Sequence, residues 1–161
     1  MKRYIALLIV PELFFMLPAA ADAKGDRLSA PAASTVNCHV ATKAQVARLF
    51  DRWNNSLHTG DPARVAANYT HDAVLLPTLS GRARHTQKER EEYFRDFLKK
   101  KPVGHIDSRT VRTGCNQAVD TGTYTFTFDD GSKVNARYTF TYVWDAGNWL
   151  ISSHHSSVVP H

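Results

Sequence analysis

In the final third of this chain, apolar and polar side chains alternate one by one, which constrains the fold more than any other feature. In TYTFTF, Tyr124, Phe126 and Phe128 fall on one face, and Thr123, Thr125 and Thr127 on the other. In ARYTFTYVW, Tyr138, Phe140, Tyr142 and Trp144 share a face, opposite Arg137, Thr139, Thr141 and Val143. A period of two in aromatic and β-branched residues marks strands that bury one face. The turn signals DDGS and DAGN divide the region into strands at about 117–128, 133–144 and 149–156, with another near 106–112.

The register follows from keeping the aromatic sets together. A two-residue Asp130-Gly131 loop sets Tyr124 opposite Arg137 and mixes the faces. A three-residue loop with Gly131 left-handed pairs Phe126 with Val134 and preserves them. The same logic at Asp145-Ala146-Gly147 pairs Tyr142 with Leu150, and Tyr138 with His154. Neighbours on a strand face opposite ways, so His154 belongs to the aromatic face and the adjacent His155 to the threonine face. Together they are poorly placed to chelate one metal.

Helices precede this meander. Thr42 and Gln45 form a capping box, and Val46, Leu49, Phe50, Trp53 and Leu57 recur at helical spacing until Gly60. Asp61-Pro62 starts a shorter helix. DAVLLP is a short strand. Thr86 and Glu89 make a second capping box for QKEREEYFRDFLKKK, stopped by Pro102. Residues 1–23 read as a signal peptide, with basic Lys2 and Arg3, an apolar stretch and Ala21-Asp22-Ala23 at the cleavage site. Residues 24–41, rich in Ala, Ser and Pro, read as a flexible leader, and 42–161 as a single domain. Export to the periplasm or outside a bacterial cell is therefore expected, with no membrane span after cleavage. In that setting the two cysteines, Cys38 and Cys115, suit a disulfide, with two free buried thiols as the alternative.

The net charge of +5 would suit an anionic partner. The basic residues are scattered, however, and the KKK at 99–101 ends a helix, where cations suit the macrodipole. No nucleic-acid partner is expected. The eight histidines show no ligand-spaced cluster and no dinucleotide fingerprint occurs, so neither metal nor cofactor is expected.

The segment FDRWNNSLHTGDPARVAANYTHDAVLLP resembles the opening of the nuclear-transport-factor-2-like (SnoaL-like) superfamily. There, W-x-x-x-L-x-x-G-D leads into a D-A-V strand. NWLISSHHSSVVP resembles the closing strand of bacterial SgcJ/EcaC-like proteins and of the calcium/calmodulin-dependent protein kinase II association (hub) domain, with Trp149 and His155 at the family's separation. The resemblance spans about residues 42–160. It implies an α+β, cone-shaped fold, with N-terminal helices on a curved antiparallel sheet of four or more strands and a pocket between them. It also implies assembly through the open sheet face, as a homodimer or larger ring. Hub pockets are lined by arginines, but the matching positions here are Tyr124, Tyr142 and Ser156. That leaves Arg90 and Arg137 as candidates for a small, anionic organic ligand.

Within this frame Tyr124, Tyr138, Tyr142, His154, Arg90 and Arg137 are the candidate ligand-binding residues. The tyrosines could bind through hydroxyls on an apolar wall or simply be core aromatics. His154 is the one catalytic candidate, a general acid or base, or else a pocket histidine hydrogen-bonded to Tyr124 or Tyr138. Arg137 pairs across a subunit interface if its face is outward, and binds an anion if turned inward. Asp107 and Asp120 could act as bases but read by default as solvated strand ends. Two functions fit: an exported oligomeric domain that binds a small molecule or assembles, or a cofactor-free isomerase, cyclase or hydrolase using His154 with a tyrosine or Arg90.

Overall fold

Both capping boxes form. Gln45 N donates to Thr42 Oγ1 at 3.1 Å, and Thr42 N to Gln45 Oε1 at 2.7 Å. This starts α1, Lys43–Leu57, which buries Val46, Phe50, Trp53 and Leu57 along one stripe. Asp61 caps the short α2, Pro62–Ala66. After β1, Tyr69–Leu76, the Thr86–Glu89 box opens α3, Gln87–Phe97, continued by a 3-10 turn at Leu98–Lys100. The strands β2 (Val103–Gly114), β3 (Gln117–Thr127), β4 (Lys133–Asp145) and β5 (Asn148–Val158) complete the chain. The computed structural model describes residues 37–160 except position 79. The expected signal peptide, 1–23, and positions 24–36 of the expected leader lie outside the described residues.

The five strands form one open, curved sheet in the order β1-β5-β4-β3-β2. Four of them make the expected antiparallel meander. The fifth, β1, runs parallel to β5, so the sheet is mixed rather than wholly antiparallel. The helices cover its inner face. Trp53 sits at the centre of the core, with Phe94, Phe126, Phe140 and His154 edge-on to it at centroid distances of 5.3–6.5 Å. Each fully buried phenylalanine ring among these contributes about 2–3 kcal/mol of transfer free energy.

The first hairpin has the expected three-residue loop. Gly131 is left-handed at φ +80°, Phe128 N donates to Ser132 O at 2.9 Å, and Phe126 pairs with Val134. The second hairpin differs. Ala146 (φ 44°) and Gly147 (φ 89°) alone make the turn, and Asp145 pairs with Asn148. A bulge then inserts Ser152, so Tyr142 pairs with Ile151, Phe140 with His154 and Tyr138 with Ser156. The shorter turn and the extra residue offset each other in side but not in partner. His154 is buried on the aromatic face, but opposite Phe140 rather than Tyr138.

Residues 37–41 are held rather than free, so the ordered domain starts before position 42. Cys38 is bridged to Cys115. His39 N donates to Asn116 Oδ1 at 2.8 Å and its ring stacks on Trp144 at 4.3 Å. Ala41 is buried in the core.

A second bulge lies in β2 between Ile106 and Ser108. It presses the Ser108 carbonyl towards Gly122 on β3, where an added Cβ would lie 2.0 Å from Ser108 O. Both partners are backbone, so neither can swing away. Gly122→Ala is expected to cost about 2–3 kcal/mol. Gly114→Ala, whose Cβ would meet only the Gln117 side chain at 3.5 Å, is expected to change stability by less than about 0.5 kcal/mol. Urea unfolding of the two variants checks this, and equal midpoints would refute the close approach.

Candidate functional site

Between α3, the loop after β1 and the inner face of β3–β5 lies a cavity of about 360 Å³. Trp53, Phe94, Phe97 and Phe126 form much of its wall. Thr78, Tyr124, His154 and Ser156 add polar groups to it. The exposed Arg82 and Lys100 and the half-buried Arg84 lie at its edge, balanced by Glu89, Glu92 and Asp96. Arg82 pairs with Glu89, whose carboxyl is held down at about 2 by hydrogen bonds from the His85 backbone, Arg82 and the Thr86 backbone. Arg84 lies 5.8 Å from the Tyr93 ring centroid and Lys100 5.6 Å from that of Phe128. Burial pushes the Tyr93 hydroxyl up to about 12, so it is a neutral group on this wall.

His154 Nδ1 lies 3.0 Å from the Tyr69 hydroxyl, which in turn accepts from Trp53 Nε1 at 3.0 Å. Its partner is therefore Tyr69, neither Tyr124 nor Tyr138. Burial is the main cause that lowers the imidazole to about 3, with His155 adding repulsion, so the ring is neutral at ordinary pH. Its Nε2 is buried without a partner among the described residues. Tyr124 donates to Ser156 Oγ at 2.6 Å, and Ser156 bonds in turn to Thr78. Burial raises the Tyr124 hydroxyl as well.

The six candidate residues do not come together. Tyr124 and His154 line the cavity. Tyr138 instead donates to Asp120 Oδ1 at 3.0 Å, and Tyr142 is buried with its hydroxyl unpartnered among the described residues. Arg90 is buried at 1% exposure and is occupied by backbone. Its Nη1 donates to Ala73 O at 2.6 Å and His85 O at 3.3 Å, and its Nη2 to Thr70 O at 2.9 Å and His71 O at 3.1 Å. The irregular stretch of β1 between Tyr69 and Val74 leaves those strand carbonyls outside the ladder, and the guanidinium satisfies them. Arg137 is exposed on the outer face opposite Thr123, as is His155 opposite Thr139.

Asp107 is exposed, as expected, but lies at the β2 bulge rather than at a strand end, where it accepts from Thr125 Oγ1 at 2.7 Å. Asp120 is not a solvated strand end: it is fully buried, ion-paired with Arg109 Nε at 3.1 Å, and burial raises its carboxyl. Arg82, Arg84 and Thr78 were missed. The GRARHT segment carried the only signal, two arginines one residue apart just ahead of the α3 cap. Among the described residues no group of three or more His, Cys, Asp or Glu is placed to hold a metal. No described helix is long and apolar enough to cross a membrane.

Residues 42–160 match the family profile of the calcium/calmodulin dependent protein kinase II association domain. The chain belongs to that family. The fold of this association domain also recurs in solved structures. A proposed association domain of the same family from Xanthomonas campestris is 50% identical, with a TM-score of 0.71, covering 75% of this chain and 91% of that one. An NTF2-like protein of unknown function from Pseudomonas putida KT2440 is 17% identical, with a TM-score of 0.63, covering 71% and 84%. A proposed dehydratase of the NTF2-like family from Streptomyces avermitilis is 14% identical, with a TM-score of 0.65, covering 73% and 96%. The last two likenesses carry the fold alone. No protein of curated function matches. Of the three positions that the sequence resemblance sets against hub-domain arginines, Tyr124 and Ser156 meet on the cavity wall and Tyr142 does not line it.

Proposed function

We propose that this protein is an exported, self-assembling association domain that holds a small organic molecule between its helices and sheet. The observation that carries this reading is the cavity itself: about 360 Å³, walled by aromatics, with a few polar groups at fixed positions. Self-assembly is supported by family membership and by the outer sheet face. There Thr121, Thr123, Thr125, Thr139 and Thr141 present short, half-buried side chains, with Arg137 and His155 exposed among them. Export is supported by the signal-like N-terminus and the disulfide. An anionic group on the ligand would sit at the edge, near Arg82, Arg84 and Lys100, since Arg90 and Arg137 are not on the cavity wall.

A cofactor-free enzyme using His154 as general base is the weaker reading. The ring is neutral, one nitrogen is taken by Tyr69, and among the described residues no carboxylate orients it. The test is native, then denaturing, mass spectrometry of the protein recovered after expression with its own N-terminus. A dimer or larger ring carrying a small organic mass, cleaved near Lys24, is expected. An empty monomer would sink the assembly and ligand readings together.

A further inference from the structure

Resting on that cavity reading, we infer that His154 acts as a fixed hydrogen-bond donor, and that the ligand places an uncharged carbonyl oxygen against its Nε2. The ligand class is thus a small apolar ketone, aldehyde or ester, with any charge at the other end. The argument follows the protons. An indole nitrogen only donates, so Trp53 Nε1 gives its hydrogen to the Tyr69 oxygen. The Tyr69 hydroxyl keeps its proton, since burial raises it well above its ordinary range. Pointing that proton at His154 Nδ1, 3.0 Å away, satisfies both groups. Nδ1 is then the acceptor, and the ring's one hydrogen sits on Nε2.

That N–H is buried and unpartnered among the described residues, on a residue that forms part of the cavity wall. A buried orphan donor is costly; this nitrogen has less than 1 Å² of open surface, so an acceptor in the cavity removes that cost once the ring turns slightly towards it. The acceptor should carry no charge. The uncharged polar groups on the same cavity wall include the hydroxyls of Tyr124, Ser156 and Thr78, and Arg90, 5.7 Å from the Tyr69 ring centroid, is held by four backbone carbonyls. A carboxylate there would be desolvated with no cation to pair it. The imidazole does not supply one, because burial keeps it neutral.

The test uses the mature chain labelled with ¹⁵N in its histidines and three probes of similar shape: acetophenone, ethylbenzene and benzoate. Without any probe, the His154 spectrum should show hydrogen on Nε2 and a bare Nδ1. Acetophenone should bind about five- to tenfold more tightly than ethylbenzene. It should also shift the Nε2–H resonance, whereas benzoate, whose carboxylate goes to the Arg82, Arg84 and Lys100 edge, should leave that resonance in place. His154→Phe, which keeps a ring against Phe140, should bring the ratio of acetophenone to ethylbenzene affinity to about one. Tyr69→Phe should release the tautomer, giving hydrogen on Nδ1 in part of the population. Hydrogen on Nδ1 in the unaltered protein, or benzoate shifting the Nε2–H resonance as acetophenone does, would overturn the inference. Ethylbenzene binding as well as acetophenone would overturn it too, yet leave the cavity reading standing. Failure of all three probes to bind would overturn both.

Discussion

Replacing Cys38 and Cys115 together by Ser is expected to cost about 3–4 kcal/mol of folding stability. The bridge closes a loop across a sequence separation of 77, and cross-links of that length restrict the unfolded chain strongly. The effect is sharpened by what the bridge anchors. It ties residues 37–41 beside Asn116, which receives the His39 amide and donates to Asn37 O at 3.0 Å. Urea unfolding should show the oxidised wild type well above the double variant, and the reduced wild type coinciding with it. If the oxidised wild type and the variant unfold alike, the Asn116 clasp and the His39–Trp144 stack hold the segment without the bond. Both cysteines are exposed, so the reduction arm is practicable without first unfolding the domain.

The second large effect is a loss of stability in mild acid that originates at His154. Its imidazole falls from an ordinary 6.5 to about 3 on folding, chiefly through burial. The unfolded chain therefore takes up a proton between those values while the folded chain does not. Stability is then complete above about pH 6.5 and declines as pH falls towards 3. The loss is roughly 2 kcal/mol by pH 5 and roughly 4–5 kcal/mol at pH 3. Asp120 works in the opposite sense, because its raised carboxyl favours the folded state at low pH. Glu89, held down at about 2, works in the same sense as His154 but only below its ordinary carboxylate range. Both are common to wild type and His154→Phe, so the difference between the two curves isolates the histidine. Thermal unfolding from pH 7.5 to 4.5 should give a sloping wild-type curve and a much flatter variant curve. Parallel curves would mean that the imidazole titrates normally and is not sealed in the core.

Much of the fold was legible because the signals were local. The Thr42–Gln45 and Thr86–Glu89 boxes set the starts of α1 and α3, and each depends on residues three apart. The Gly131 loop was legible because only one loop length kept the aromatic face intact. The second hairpin misled because Ala146 adopts φ 44° without being Gly or Asn, so its two-residue turn had no strong sequence signal. The Ser152 bulge had none at all. Consequently the side of His154 was right and its cross-strand partner was wrong.

The candidate site was less legible, because which polar groups meet is a long-range matter. Three tyrosines with the same alternation have three fates: Tyr124 joins the Ser156 hydroxyl, Tyr138 the buried Asp120, and Tyr142 stays unpartnered among the described residues. What the sequence alone determined was the set of elements, their buried faces, the family and the opposed faces of His154 and His155. Those rest on periodicity and caps spanning a few residues. Only the tertiary structure decided that β1 joins β5 in parallel and that Arg90 is consumed by β1 carbonyls. It likewise set Asp120 in the core and His154 against Tyr69 with one nitrogen left over. Each of these depends on groups 11 to 85 residues apart competing for one another's hydrogen bonds, and that competition is settled only when the core closes.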